Sequence, residues 1–245
     1  VKHQSGGETI PLGLLYLASS IRADGYPVKI IDAEILGLNI KVATERILSE
    51  NPGIVGFTAV TISVDNAAAV AKEIKKLRSD IVTVIGGHHL TTVPEETLNR
   101  FPQFDIGVIG EGEKTLSALA LAIKESGFDK DKLRNINGLI FKDEKNEKFV
   151  VTPSRGRIRD LDTLPKPAFD LLPNLLDYSP PAHTVKKFPA CNLVTSRGCP
   201  GQCVFCTRSV YGNALSAHSA EYMVDLVTEL YQKYGIREIQ FRDDN

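Results

Sequence analysis

Apolar residues in the first half of the chain follow two patterns in turn. Short unbroken runs occur at Val28–Asp32, Ile54–Ala59, Ile81–Gly86 and Asp105–Ile109. Between them the apolar positions recur at helical spacing, as at Ala67, Val70, Ala71, Ile74 and Leu77 within Asn66–Leu77. The unbroken runs predict strands buried on both faces, and the amphipathic stretches predict the helices that cover them. Pro11 opens a first helix through Leu14, Leu17, Ala18 and Ile21, and Gly25 closes it. Further helices are expected at Val42–Leu48, Pro94–Phe101 and Thr115–Glu125. The alternation predicts a doubly wound α/β domain with a parallel sheet. Such a domain ordinarily starts on a central strand. This chain starts on a polar segment and a helix, without an initiator methionine, so that strand is expected to be missing and one sheet edge exposed.

The pattern changes near Asn137. Leu139–Lys142 and Lys148–Thr152 alternate around the polar tip Asp143–Glu147, which predicts a hairpin. The proline-rich stretch Leu164–Pro181 reads as an irregular linker without packed elements. A new βα unit follows: a strand at Asn192–Ser196, then a helix capped by Ser219, with Val224, Val227, Tyr231 and Tyr234 on one face and Gly235 at its end. A second strand is expected at Glu238–Arg242. The expected division is 1–126 for the doubly wound domain, 127–187 for hairpin and linker, and 188–245 for the start of another α/β domain.

Composition narrows the picture by exclusion. The chain has 245 residues, 42% of them hydrophobic, and a formal net charge of −1 without a long basic or acidic block. Neither a nucleic-acid surface nor a membrane surface is indicated. No apolar run approaches the roughly 18 residues of a membrane-spanning helix, and Val1–Thr9 lacks the layout of a signal peptide. A cytoplasmic location is the expectation.

Four cysteines, Cys191, Cys199, Cys203 and Cys206, fall within one short stretch. Disulfide frameworks are spread through small secreted domains, whereas clustered thiols in an intracellular chain more often bind metal. The last three follow the spacing C-x3-C-x2-C in a loop that Gly198 and Gly201 relax and Pro200 stiffens. Three ligands suit an iron–sulfur cubane with one open iron. A zinc site would need a fourth ligand, for which Cys191 is the candidate. Inert or redox-active thiols are a third reading.

The phrase Ser196-Arg-Gly-Cys-Pro-x-x-Cys-x-Phe-Cys206 resembles the cluster loop of radical S-adenosylmethionine (SAM) enzymes. The resemblance implies that Cys199, Cys203 and Cys206 bind a 4Fe–4S cluster after the first strand of a (β/α) barrel, and that the open iron chelates SAM. Reductive cleavage of SAM would then give a 5′-deoxyadenosyl radical. It further implies that Phe205 lies beside the adenine, that Asp243, with Asp244, lies near the SAM amine, and that a flavodoxin or ferredoxin supplies the electron. Cys191 falls outside the pattern.

Pro11-Leu-Gly-Leu-Leu-Tyr-Leu-Ala18, Gly56-Phe-Thr58, Gly86-Gly-His-His89, Gly110-Glu-Gly-Glu113 and Asp160-Leu-Asp-Thr-Leu-Pro-Lys-Pro-Ala168 together resemble a Rossmann-like or flavodoxin-like cobalamin-binding domain with its linker. In that family such a domain precedes the radical SAM barrel. Thr58, Gly86, Gly87 and Gly110 follow apolar runs, where doubly wound folds bind ligands, and are the candidate cobalamin site; the plainer reading is that the glycines turn strand into loop. His88 and His89 stand at the cofactor edge or act as capping and solvated groups. Glu111 and Glu113 flank a helix start, where the helix dipole favours them. The D-x-H-x-x-G motif of some cobalamin domains is not matched, since His3-Gln-Ser-Gly6 has Val1 where the aspartate belongs.

The resemblance implies a cobalamin-dependent radical SAM enzyme acting on a small molecule, either by methyl transfer to an unactivated carbon or by ring formation in tetrapyrrole synthesis. Methylthiotransferases carry extra cysteines in the first domain, and this chain has none there. The alternative is a cobalamin- or nucleotide-binding module with structural zinc and no catalysis. With only the first barrel units present, no turnover is expected from this stretch alone.

Overall fold

The apolar runs at Ile54, Val82 and Ile106 become three adjacent parallel strands. The computed structural model describes residues 9–143, 145–178 and 180–244. Its contacts gather the chain into two units. One comprises the residues up to Gly37, Ile158–Val204 and the residues from Asn213 on; it begins with helix α1 (Leu12–Ala23). The other, the sheet unit, comprises Leu38–Arg157 and Phe205–Gly212.

The sheet unit runs α2 (Ile40–Ser49), β1 (Ile54–Thr58), α3 (Val64–Leu77), β2 (Val82–Gly86), α4 (His88–Thr92), α5 (Pro94–Arg100), β3 (Ile106–Val108), α6 (Glu113–Ser126), α7 (Lys130–Leu133), β4 (Leu139–Lys142) and β5 (Phe149–Val151). The strand order is β1-β2-β3-β4-β5. The first three strands are mutually parallel, and the hairpin joins β3 antiparallel. Alternate side chains of the strands feed two cores. Ile85 and Ile140 pack with Ala71, Leu90 and Leu98 from α3, α4 and α5. Val84, Ile106 and Phe141 pack with Leu119 and Leu133 from α6 and α7. Burial on both faces explains why β2 and β3 read as unbroken apolar runs. This is an α/β fold with a parallel-strand sheet. Within it β1 is an edge strand, with Gly56 and Thr58 exposed.

The other unit adds β6 (Ala190–Leu193), β7 (Ser196–Arg197), β8 (Ser216–Ala217), α8 (Ala220–Tyr234) and β9 (Glu238–Phe241). Strands β6 and β9 are parallel, and β7 pairs antiparallel with β8. Ser219 caps α8 by accepting from the Tyr222 N–H at 3.1 Å. Gly235 ends it in the left-handed conformation, which costs a residue without Cβ nothing. Leu226 and Leu230 of α8 are buried with Ile10, Leu15, Phe169, Tyr178, Leu193 and Ile236. No helix among the described residues is long and apolar enough to cross a membrane.

Three expectations are corrected. Val28–Asp32 is not a strand: Ile30 packs against the apolar cluster of α1 and α8, and the Asp32 carboxylate accepts from the Glu34 and Ile35 amides to cap a turn. The proline-rich stretch is packed. Short 3-10 turns at Phe169–Leu171 and Leu175–Asp177 accompany the burial of Phe169, Leu175 and Tyr178. The strand expected at Asn192–Ser196 is divided, with β6 ending at Leu193 and Ser196–Arg197 turning to pair with Ser216–Ala217.

Candidate functional site

The parallel register brings the strand ends of the sheet unit side by side. Thr58 ends β1 directly opposite Gly86, which ends β2. The chain then bends at Gly87, whose φ is +93° and whose amide region packs on the β1 terminus. A Cβ there would stand 2.8 Å from Thr58 Oγ1, 3.0 Å from the Ala59 carbonyl and 3.1 Å from Ala59 N. The His89 N–H donates to that same carbonyl at 3.2 Å, and Ala59 N–H donates to the Gly86 carbonyl at 3.3 Å. His89 Nδ1 lies 3.1 Å from Thr61 Oγ1. Gly110, beyond β3, donates its N–H to Thr91 Oγ1 on α4 at 3.1 Å. Helix α4, which the apolar pattern did not predict, thus bonds to Ala59 beside Thr58, to Gly87 and to Gly110. Thr58, Val60 and Ile62 beside them are exposed, Ile62 at 93%. This leaves an open rim of one hydroxyl, backbone and apolar surface, which suits a large ligand with both polar and apolar parts.

The residues 205–212 belong to this same unit. Ser209 Oγ lies 3.1 Å from Thr92 Oγ1, and the Val210 carbonyl is 3.9 Å from the point where a Gly110 Cβ would stand.

In the other unit the path to the cysteines is held from two sides. From the β9 end, Asp243 Oδ1 accepts from the amides of Thr195 (2.6 Å) and Ser196 (2.8 Å) and from Ser196 Oγ (3.2 Å), while Oδ2 accepts from Thr195 Oγ1 at 2.9 Å. Burial works against ionising Asp243, but these hydrogen bonds outweigh it and hold the carboxyl below the usual range. Asp244 Oδ2 accepts from the Gly198 amide at 2.9 Å.

From the other side, His218 donates its backbone N–H to the Thr195 carbonyl at 2.8 Å. The His218 ring is enclosed. Nδ1 lies 3.0 Å from Asp162 Oδ1, Nε2 lies 3.1 Å from the Tyr16 hydroxyl, and Tyr222 stacks on the ring at 4.0 Å. A carboxylate only accepts, so Nδ1 carries the proton and a neutral ring takes the Tyr16 hydroxyl hydrogen at Nε2. Burial lowers the His218 pKa against the opposing pull of Asp162. Hydrogen bonding from Ser219 first, and from His218, keeps Asp162 below the usual carboxylate range. The Arg197 guanidinium, buried two residues before Cys199, lies 5.1 Å from the Tyr16 ring centroid. Tyr16 and Asp162 come from two of the phrases singled out in the sequence, the first on α1 and the second in the linker.

Cys199 is half-buried, and Cys203 and Cys206 are exposed. The sulfurs of Cys199 and Cys203 both flank Gly201, at 3.3 and 3.9 Å from the position of a Cβ there, and the Gly201 amide donates to Cys199 Sγ at 3.4 Å. Cys206, grouped with the sheet unit, donates its thiol to the Thr207 carbonyl at 3.5 Å. Phe205 is 90% exposed. Among the described residues no three His, Cys, Asp or Glu side chains are already gathered as a metal site. Cys191 is fully buried within β6, and burial pushes its thiol up to about 12. Cys191 packs in the apolar cluster that contains Leu15, Leu193 and Leu226. His3 lies outside the described residues.

Comparison with known proteins identifies the first part of the chain: residues 1–120 match the model of the B12 binding domain family. This part of the chain is similar to B12-binding domains. Over its full length it is 37% identical to an uncharacterized methyltransferase of Pyrococcus horikoshii, of which it covers 50%. It is 31% identical, over 96% of its length, to the anaerobic magnesium-protoporphyrin IX monomethyl ester cyclase of Rubrivivax gelatinosus, covering 42% of that protein. It is 27% identical, over 97% of its length, to the cytidylyl-2-hydroxyethylphosphonate methyltransferase of Streptomyces wedmorensis, covering 51% of it. The chain spans about half the length of the curated relatives it matches. Its matched B12-binding segment contains Thr58, Gly86, Gly87 and Gly110 at the ends of three adjacent strands, and its relatives include both methyltransferases and cyclases.

Proposed function

We propose that this chain is part of a cobalamin-dependent radical SAM enzyme that transfers a methyl group to an unactivated carbon of a small molecule. One observation carries the reading. A C-x3-C-x2-C loop with accessible thiols, and with the fourth cysteine withdrawn as a neutral buried thiol, accompanies a segment similar to B12-binding domains on one chain. Cys199, Cys203 and Cys206 would hold the 4Fe–4S cluster, their soft thiolates matching iron. When bound, cluster and SAM supply the radical and cobalamin supplies the methyl group.

The chain's own residues then have distinct tasks. Thr58 offers its hydroxyl, and Gly86, Gly87 and Gly110 offer close backbone, to the nucleotide tail of cobalamin. Phe205 presents a free aromatic face to the adenine of SAM. The neutral His218, enclosed by Tyr16, Tyr222 and Asp162, steadies the approach to Cys199 without exchanging protons with solvent. A flavodoxin or ferredoxin delivers the electron. Methyl transfer is preferred because the relative matched along the whole chain is a methyltransferase. Ring formation is the second reading, supported by the cyclase relative.

The test is anaerobic reconstitution of the full-length protein with iron and sulfide. A 4Fe–4S spectrum that SAM perturbs, lost in Cys203→Ala and kept in Cys191→Ala, is the expected result. A protein that takes up one zinc and no iron, or that cleaves SAM without Cys203, overturns the proposal.

A further inference from the structure

From the hydrogen bonds at the β9 terminus we infer that Asp243 and Asp244 are positioning residues that fix the cysteine loop at its entry, and that Asp243 serves the loop rather than the SAM amine. The inference deepens the proposed function and rests on it where the cluster is concerned.

Strands β6 and β9 are parallel neighbours, with Leu193 opposite Phe241. Parallel strands end at the same side of the sheet, so whatever follows β9 stands beside whatever follows β6. The ladder runs one bond past β9, from the Arg242 N–H to the Leu193 carbonyl at the end of β6, at 2.7 Å. Beyond that point β9 makes no further ladder bond, and while β8 pairs with Ser196–Arg197, the amides of Thr195, Ser196 and Gly198 are met by side chains from the β9 end. The two carboxylates take them in sequence. Asp243 receives four donors from Thr195 and Ser196, and Asp244 receives the Gly198 amide. Gly198, with φ +86°, turns its amide toward Asp244 immediately before the first cysteine.

Ionised acceptors make stronger bonds than neutral ones, and three of these five donors are main-chain amides, whose capture fixes the backbone itself. The arrangement also accounts for the choice of residue. A backbone carbonyl at position 243 would accept at one oxygen in one direction, whereas a carboxylate spans two adjacent amides and two hydroxyls. Four donors occupy most of the acceptor capacity of Asp243, which argues against the SAM amine as its principal partner. Thr195 is held on its other side by the His218 amide at 2.8 Å, so the loop entry is pinned between β9 and the start of α8.

The test uses the full-length protein as wild type, Asp243→Asn, Asp243→Ala and Asp244→Ala, with two readouts besides turnover. The first is amide hydrogen exchange across residues 195–199 in metal-free protein. Asp243→Ala should exchange the Thr195 and Ser196 amides about tenfold faster, the loss expected for one charge-assisted hydrogen bond. Asp243→Asn should fall between Asp243→Ala and wild type, and Asp244→Ala should expose the Gly198 amide alone. Because no cluster is needed, this readout stands even if the cluster proposal fails. If Asp243→Ala does not fold, Asp243→Asn and Asp244→Ala carry it. The second readout is the rate at which reconstituted protein loses iron to a chelator without SAM. Faster loss in Asp243→Ala, with SAM affinity of the loaded fraction unchanged, is the expected result. Wild-type exchange at Thr195 and Ser196 overturns the inference. So does wild-type iron retention combined with weakened SAM binding, which would return Asp243 to the SAM amine. Failure of the wild-type protein to bind iron overturns the proposed function and leaves the clamp to be judged by exchange.

Discussion

Gly87 stands so close to Thr58 that a single added methyl would meet the Thr58 hydroxyl at 2.8 Å. Two backbone atoms of Ala59 lie almost as near, so the collision cannot be relieved by rotating one side chain. The positive φ of Gly87 adds backbone strain for any other residue. Gly87→Ala should therefore lower stability by about 1–3 kcal/mol, read as a shift in urea midpoint. In the full-length protein it should also weaken cobalamin binding by calorimetry, because relief comes only by moving the ends of β1 or β2. Wild-type values for both would place the ligand elsewhere.

The His218 network sets a pH dependence. Burial holds the folded imidazole below its ordinary pKa, so the unfolded chain binds the proton more readily. Its contribution to stability is complete above the ordinary value of about 6.5 and is lost as pH falls through that value toward the folded one. The groups facing the ring are Asp162, Tyr16 and Tyr222, with Arg197 and Asp160 near enough to act through charge. Carboxylates titrate lower and fall outside this window. The urea midpoint should drop between about pH 7.5 and 5.5 in the wild type, and drop less in His218→Gln. Equal slopes would show that the ring is not the titrating group.

Thiol reactivity should rank by exposure and ionisation. Under anaerobic, metal-free conditions an alkylating reagent should modify Cys203 and Cys206 first, Cys199 more slowly, and Cys191 only once denaturant opens β6. Peptide mapping by mass spectrometry reads the order directly, and early labelling of Cys191 would contradict the burial of that strand.

Leu230 is fully buried in the apolar cluster that also holds Leu15, Phe169 and Leu193. Leu230→Ala should cost about 2–5 kcal/mol. A loss well under 1 kcal/mol in a urea titration would mean that this core is not formed in solution.

The sequence carried the elements whose signals are local. Helix α8 was readable because a serine cap and a glycine stop agree, and the structure ends the helix at those residues; its buried stripe is Met223, Leu226 and Leu230, whereas Val224 and Tyr231 of the expected stripe are exposed. Strands β2 and β3 were readable because both faces are covered. Val28–Asp32 was misread because an apolar run specifies burial and leaves open whether a partner strand stands beside it. The 3-10 turns at Phe169 and Leu175 were missed because three-residue turns have no periodicity to detect, although they bury large side chains. The cysteine spacing was explicit in the sequence. The bonds of Asp243 were not, since they depend on the β6–β9 register, which brings together residues 47 and 48 positions apart.

The core beneath α8 joins Ile10 and Leu15 to Leu230 and Ile236, and a buried hydrogen bond ties the Ile10 amide to Asn192 across 182 positions. Contacts that distant close late, since the loop between them must first be brought to order. On a ribosome, helix α1 emerges before α8 and must wait for it. The sheet unit draws mainly on the continuous segment Leu38–Arg157 and has its strands and helices in hand well before Ile236 is made. The sheet unit is therefore expected to condense before α1 meets α8, a contact that encloses Tyr16 and sets the entry to Cys199 in the same event.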